Sequence, residues 1–137
     1  MEMSGKSVLV FFGIVAVLFA FIGFTNPQTI DDWDTPAKYK NMENKFTGED
    51  IGNIGEDLYK LHCKSCHGRE GYGDGPKGFE LETEMRDLTF EEVQAQSDGE
   101  LYYKSIIGRY EMPNYEKIIK DEKDRWMLIN YIRSLVE

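Results

Sequence analysis

Cysteine and histidine are scarce in this chain of 137 residues, which contains two of each. All four lie between His62 and His67. A structural zinc site needs four ligands, usually in two pairs well apart in the sequence, and so short a segment cannot surround a tetrahedral ion. A disulfide between the two thiols would close a very short loop, and a thioredoxin-like redox pair expects a βαβ surround that is not visible. A zinc site, a disulfide and a thioredoxin-like redox pair are therefore the weaker interpretations of this cluster.

Basic residues are also too few to balance the acidic ones. The chain has 16 Lys and Arg against 25 Asp and Glu, a net charge of −9. Because Glu2 and Lys6 cancel within residues 1–25, all of this charge belongs to the rest of the chain. Nucleic acid and anionic membrane surfaces are therefore poor partners. A basic surface on another protein fits better, although acidity can also serve solubility alone.

One stretch concentrates the negative charge. Between positions 80 and 100 the only base is Arg86, whereas eight residues are acidic: Glu80, Glu82, Glu84, Asp87, Glu91, Glu92, Asp98 and Glu100. We expect a docking surface here, and association with a basic partner should slow as ionic strength rises.

Strands with alternating polarity and internal repeats are missing, so the sequence predicts an all-α domain. The glycine-rich stretch 68–88 lacks a Walker pattern, so it is not a phosphate-binding loop and instead predicts a tightly bent chain. Helices are expected over 50–62 and from Asp121 onward, and capping boxes predict further helix starts at Thr89 and Ser97. Gly108 is expected to end the segment that starts at Ser97. The apolar stripe of the first helix would comprise Ile51, Ile54, Leu58 and Leu61.

The chemistry of the chain is concentrated in Cys63-Lys64-Ser65-Cys66-His67. Two cysteines three apart, followed at once by histidine, are typical of c-type haem attachment. The two thiols can reach neighbouring vinyl groups of the porphyrin, and the histidine then supplies the proximal nitrogen to the iron. The motif predicts one covalent haem c, bound by Cys63, Cys66 and His67.

The longest apolar run covers residues 8–24. As a helix these 17 residues span about 26 Å, close to the thickness of a bilayer core. No small-x-small cleavage site follows, which favours a retained membrane anchor, with a signal peptide as the alternative. Lys6 before the run and acidic residues after it place the N-terminus inside, and haem attachment outside the cytoplasm agrees with that topology.

The domain organisation follows from these patterns. Residues 1–24 are predicted as the anchor, 25–49 as a tether and 50–137 as the haem domain. Trp33 and Tyr39 are unusual in a tether and should pack on the domain or at the membrane interface.

His62 adjoins the motif and cannot reach the opposite face of the haem, so methionine is the natural candidate for a sixth iron ligand. The candidates are Met42, Met85, Met112 and Met127. Met112 is favoured because Pro113 stiffens the loop that carries it, and Met85 is the next choice.

Together these residues resemble the monohaem class I cytochrome c family over roughly 50–135. Gly55 and Tyr59 match the glycine and aromatic of the N-terminal helix, and Leu128 and Tyr131 match the pair on the C-terminal helix. The resemblance implies that these two helices cross closely around a covalent haem.

The same resemblance extends to the haem surroundings. Met112 corresponds to the distal ligand of the family. Gly75 and Pro76 correspond to a Gly-Pro pair whose proline carbonyl accepts the N–H of the proximal histidine. Residues 71–76, 87–89 and 97–102 are similar to membrane-anchored bacterial cytochromes that accompany quinol-oxidising complexes, such as alternative complex III, or terminal oxidases.

The resemblance implies an electron carrier, not an enzyme, with the haem domain on the periplasmic face of a bacterial inner membrane. It would act either as a tethered shuttle or as a fixed haem subunit of a respiratory complex, with no nucleic acid and no small-molecule substrate. The alternative is a haem enzyme or gas sensor, which requires an open sixth site.

Overall fold

The computed structural model describes residues 33–136. The predicted anchor lies outside this range, and within the range no helix is long and apolar enough to cross a membrane. The helices are α1 (Ala37–Lys40), α2 (Ile54–His62), α3 (Lys64–His67), α4 (Glu91–Gln94), α5 (Asp98–Tyr102) and α6 (Glu122–Arg133). Short 3₁₀ turns cover Ile51–Asn53 and Gly78–Glu80, and a π-helical turn covers Tyr103–Ile107.

The all-α prediction is confirmed for the described residues. They form no strand, and their one β-type pairing is an isolated bridge between Arg109 and Met112.

The core of the domain is the crossing of α2 and α6. Gly55 lies against the backbone of α6 so closely that a Cβ there would overlap the carbonyl oxygen of Met127. Leu128 is completely buried, and the rings of Tyr59 and Tyr131 are 5.2 Å apart. The close helix crossing that the resemblance implies is therefore present, and it passes through the expected glycine.

The start of α2 differs from the prediction. The helix was expected from Asp50, but Asn53 takes a left-handed φ of 60°, and the α-helix begins at Ile54. The Asp50 carboxylate nevertheless accepts hydrogen bonds from the backbone N–H groups of Gly55 (2.8 Å) and Glu56 (3.4 Å). Asp50 thus satisfies free N–H groups of the first turn from a position ahead of the helix.

The predicted apolar stripe of α2 is also wrong in part. Ile51 is 53% exposed and Leu61 is 74% exposed. The buried positions are Gly55, Tyr59 and Cys63, which recur every fourth residue and share one face. The face of α2 that packs against α6 is therefore determined by Gly55, which permits close approach of the two helices, and not by the largest apolar side chains.

Residues 33–49 pack on the domain, which corrects the predicted tether over 25–49. The Asn130 side chain in α6 donates to the carbonyl oxygens of Phe46 and Glu49, both at 2.6 Å, and accepts from the Asn44 side chain at 2.7 Å. Phe46 also packs against the hydrophobic core. The compact unit accordingly begins at Trp33 rather than at residue 50.

Trp33 and Tyr39, the two aromatic residues singled out in this segment, pack on the domain. This was one of the two predicted alternatives. The Tyr39 ring lies 4.7 Å from that of Tyr103, and a Cβ at Gly99 would overlap the Tyr39 carbonyl oxygen. Trp33 meets Tyr103 edge-on at 6.5 Å between ring centroids.

Of the two predicted capping boxes, one is formed. Ser97 Oγ accepts from the Glu100 N–H, and the Glu100 carboxylate accepts from the Ser97 N–H. At the other, the N-cap position of α4 is Phe90 rather than Thr89, and no side chain caps the helix; the Thr89 hydroxyl donates to Asp87. The Thr89 box is therefore wrong.

The other two helix boundaries agree with the sequence prediction. Asp121 caps α6 by accepting from the Lys123 N–H at 2.8 Å. Gly108, with a φ of 68°, ends the segment that starts at Ser97.

Candidate haem site

The cysteine–histidine motif lies where α2 passes into α3. The N–H groups of Cys66 and His67 both donate to the Cys63 carbonyl, at 3.1 and 3.0 Å, so the motif forms a helical turn. Residues at i, i+3 and i+4 share a face of such a turn, which places both thiols and the imidazole on one side. Both cysteines are unpaired thiols, with Cys63 buried and Cys66 half-buried.

Burial controls the protonation of these groups. It raises the pKa of the Cys63 thiol to about 12 and lowers the pKa of the His67 imidazole below its ordinary value. The imidazole therefore favours its neutral form, which is the form that binds iron. His67 Nδ1 is buried and has no hydrogen-bond partner among the described residues.

The bond from His67 Nδ1 to the Pro76 carbonyl, which the resemblance implies, is accordingly not made in this structure. It stays a prediction for the haem-bound protein. A buried, unpaired, neutral imidazole next to two free thiols nonetheless fits a covalently attached haem, because each group has the chemistry that the attachment uses.

The glycine-rich loop folds back onto the motif through backbone atoms. The N–H groups of Gly75 and Lys77 donate to the carbonyls of Cys66 (3.1 Å) and Ser65 (2.9 Å). A Cβ at Gly75 would lie only 2.6 Å from both of these carbonyl oxygens. This stretch is therefore the tightly bent chain that its composition predicts, and Gly75 is required by a close approach to the motif.

Met112 lies in the loop that follows the π-helical turn. A Cβ at Gly108 would overlap the carbonyl oxygens of Met112 and Pro113, so the loop folds back on its own start. The Met112 N–H donates to the Arg109 carbonyl at 2.9 Å, and the half-buried side chain packs against the hydrophobic core.

Tyr115 joins this loop to the haem motif, and sequence reasoning did not single it out. Its hydroxyl donates to the His62 carbonyl at 2.9 Å, and its N–H donates to the Ile106 carbonyl at 2.7 Å. Burial, together with the nearby Cys63 and Cys66, raises the pKa of Tyr115 to about 12. The structure thus brings the Met112 loop to the residue before Cys63. The only sequence signal would have been its position three residues after Met112.

The other methionines occupy different surroundings. Met127 is fully buried in α6, and Met42 packs against the core beside α5. Met85 lies on the glycine-rich loop, with its Cγ 2.7 Å from where a Cβ at Gly78 would lie. The Met112 loop is bonded to the end of α2, next to the haem motif, by the hydroxyl of Tyr115. Its ligation of iron stays a prediction.

Comparison with known proteins finds a matching family and similar solved structures. Residues 52–136 match the family model described as Cytochrome c. Among solved structures, the chain is similar to a protein of the Kuenenia stuttgartiensis reducing HAO-like protein complex, with 28% sequence identity and a TM-score of 0.56. That alignment covers 70% of this chain and 50% of the other, so this chain spans half of that protein's length. No curated protein matches.

Proposed function

This chain belongs to the cytochrome c family, and we propose that it carries single electrons through one haem c bound covalently by Cys63 and Cys66, with His67 and Met112 as its axial ligands. Membership of the family supports electron transfer by a covalent haem c. The observation that carries the ligand assignment is the hydrogen bond from the Tyr115 hydroxyl to the His62 carbonyl, because it ties the methionine loop to the attachment helix.

The residues of the chain would each have one task in this function. Cys63 and Cys66 hold the porphyrin edge through thioethers, and His67 presents a neutral nitrogen from the same turn. The bound haem supplies a one-electron iron couple. The thioether of Met112 favours the reduced state and closes the sixth position to substrates.

The ligand assignment is tested on the oxidised holoprotein by its visible spectrum. Sulfur–iron ligation gives a weak far-red band, which Met112→Ala should abolish and the control Met85→Ala should leave in place. If Met85→Ala abolishes the band instead, Met85 is the ligand. A wild type without the band that binds carbon monoxide when reduced would point to the haem enzyme or gas sensor.

We also propose that residues 8–24 anchor the protein in a bacterial inner membrane, with the haem domain on the periplasmic face. Since the domain begins at Trp33, only residues 25–32 separate it from the run. Fully extended, they reach at most about 28 Å.

So short a connection favours a fixed subunit of a quinol-oxidising or terminal oxidase complex over a shuttle with long reach. Membership of the similar solved protein in a complex supports the same choice. Co-purification with a redox complex after detergent extraction is expected, and purification alone would favour the shuttle.

The acidic surface is smaller than the sequence suggests. Asp98 pairs with Arg133 at 2.8 Å, Asp87 accepts from Thr89, and Glu100 caps α5. The remaining five carboxylates are exposed: Glu80, Glu82, Glu84, Glu91 and Glu92. These are the groups we propose for docking to a basic redox partner. The electron-transfer rate should fall with rising ionic strength, and a rate independent of salt would overturn this part of the proposal.

A further inference from the structure

Glu111, the residue before Met112, bonds to a segment almost thirty positions earlier in the chain. Its carboxylate accepts from the backbone N–H groups of Glu82 (3.1 Å) and Thr83 (2.8 Å). The Thr83 hydroxyl acts on the same carboxylate, and together with these two N–H groups it holds the pKa of Glu111 below its usual range. One exposed side chain thus satisfies two backbone donors of another loop.

The segment that Glu111 reaches leads back to the haem motif. The Leu81 N–H donates to the Gly78 carbonyl at 3.3 Å, the Gly78 N–H donates to the Gly75 carbonyl at 2.8 Å, and the Gly75 N–H donates to the Cys66 carbonyl. A continuous series of backbone hydrogen bonds therefore connects the partners of Glu111 with the second cysteine. Glu111 joins the methionine loop to the segment that is bonded to the haem motif.

The methionine loop is exposed on either side of Met112. Tyr110 is 89% exposed and takes a left-handed φ of 51°, and Pro113 and Asn114 are exposed. The bond from the Met112 N–H to the Arg109 carbonyl lies within the loop and does not fix its position. Three side chains close to the methionine reach other elements: Glu111 directly before it, Arg109 against the Trp33 ring three residues before it, and Tyr115 three residues after it.

We propose that Glu111 is a positioning residue that keeps the Met112 loop closed over the iron by bonding it to residues 82 and 83. The proposal rests on the proposed function, since it requires Met112 to be the distal ligand. An external ligand can bind the iron only when the thioether has left, so its apparent affinity scales with the fraction of open loop. We call the hydrogen bonds between Glu111 and residues 82 and 83 the brace. Weakening the brace raises the fraction of open loop without altering the haem attachment.

The test measures imidazole binding to the oxidised holoprotein, together with the far-red band. Glu111→Gln keeps one acceptor oxygen and should tighten imidazole binding a few-fold. Glu111→Ala keeps none and should tighten it by about five- to tenfold, since bonds to a charged group are strong but solvent exposure weakens them. Glu116→Gln removes an exposed carboxylate of the same loop and is the matched control, with wild-type affinity expected.

A second variant addresses the other end of the brace. Thr83→Val removes the hydroxyl that helps to stabilise the Glu111 carboxylate and preserves the shape of the side chain. It should tighten imidazole binding less than Glu111→Ala does, and it should add little when combined with Glu111→Ala, because both variants remove one interaction.

The outcomes separate this proposal from the ligand assignment. If the far-red band is present in the wild type and lost in Met112→Ala, but Glu111→Ala binds imidazole like the wild type, the brace is overturned and the ligand assignment stands. Additive effects of Thr83→Val and Glu111→Ala would likewise overturn the brace. A wild type without the band overturns both.

Discussion

The proposed haem site has two sides, and the chain holds them with different kinds of bond. On the histidine side, the N–H groups of Gly73, Gly75 and Lys77 donate to carbonyls of the motif at 2.9 to 3.1 Å. All of these bonds join backbone atoms of residues close in sequence. The methionine side is bonded to other elements largely through the side chains of Glu111 and Tyr115.

This difference has a consequence for how each side responds to substitution. Backbone hydrogen bonds survive most changes of side chain, so these contacts are sensitive mainly where a new Cβ would enter a close backbone contact. The exception on the histidine side is the Tyr59 hydroxyl, which donates to the Gly68 carbonyl at 2.9 Å. On the methionine side a single side-chain substitution removes a whole attachment. The first arrangement suits covalent attachment, and the second lets the strength of the distal bond be adjusted one residue at a time.

The largest effect is expected from Gly75→Ala. The added Cβ would lie 2.6 Å from the carbonyl oxygens of Ser65 and Cys66, and backbone atoms cannot move aside without breaking the hydrogen bonds of the loop. We expect a loss of about 3 kcal/mol in the free energy of unfolding of the holoprotein, measured with denaturant.

Gly48→Ala is the control for this prediction. Gly48 has a φ of +77° and no atom near the position of a Cβ, so alanine there should cost only about 1 kcal/mol of backbone strain. Equal losses in the two variants would show that the close contact at Gly75 does not hold the histidine side.

On the methionine side, Tyr115→Phe removes the hydroxyl that donates to the His62 carbonyl. The free energy of unfolding should fall by about 1 kcal/mol, the usual net value of one hydrogen bond. The far-red band should weaken as the loop loosens, while both thioether bonds remain. Tyr110→Phe, at a side chain that is 89% exposed, is the control and should change neither quantity. A stable Tyr115→Phe protein with an unchanged band would contradict the role of this bond.

The N-terminal segment adds a third attachment to the methionine side. The Arg109 guanidinium lies 4.6 Å from the Trp33 ring centroid, and Trp33 packs on Tyr103. Trp33→Ala should lower the free energy of unfolding by about 1 kcal/mol through this contact. Phe90→Ala removes a ring that is 60% exposed and should cost less. If the two variants are equally stable, the contact of Trp33 with Arg109 does not stabilise the domain.

The same contrast explains what the sequence could predict. Attachment at Cys63, Cys66 and His67, and the need for glycine at 55 and 75, follow from local spacing or from family resemblance. The roles of Glu111 and Tyr115 do not, because their partners lie 28 to 53 positions away and are backbone atoms, which leave no pattern in the sequence.

The tether prediction failed for a related reason. The polar stretch 33–49 has no periodicity, yet it is held by the amide of Asn130, whose partners are again backbone carbonyls. At Thr89 a local competitor, Asp87, takes the hydroxyl that would have capped the helix. Composition predicts a loop correctly in such cases but cannot predict whether the loop packs.

The smallest effect is expected at the far end of the methionine side, where α5 begins. The Glu100 carboxylate accepts from the Ser97 N–H at 2.9 Å, and this bond holds the pKa of Glu100 below its usual value of 4.5. A carboxyl group whose pKa is lower in the folded state stabilises the fold above the unfolded-state pKa, and this stabilisation is lost as the pH falls through the folded-state value. Glu100→Gln should therefore be slightly less stable than the wild type at neutral pH, and the gap should close on acidification below pH 4.5. Denaturant unfolding over a pH series measures it. If the difference in free energy of unfolding between Glu100→Gln and the wild type stays constant with pH, the charge of Glu100 contributes nothing and the cap acts through its shape alone. The attachments of the methionine side would then be Glu111, Tyr115 and Trp33.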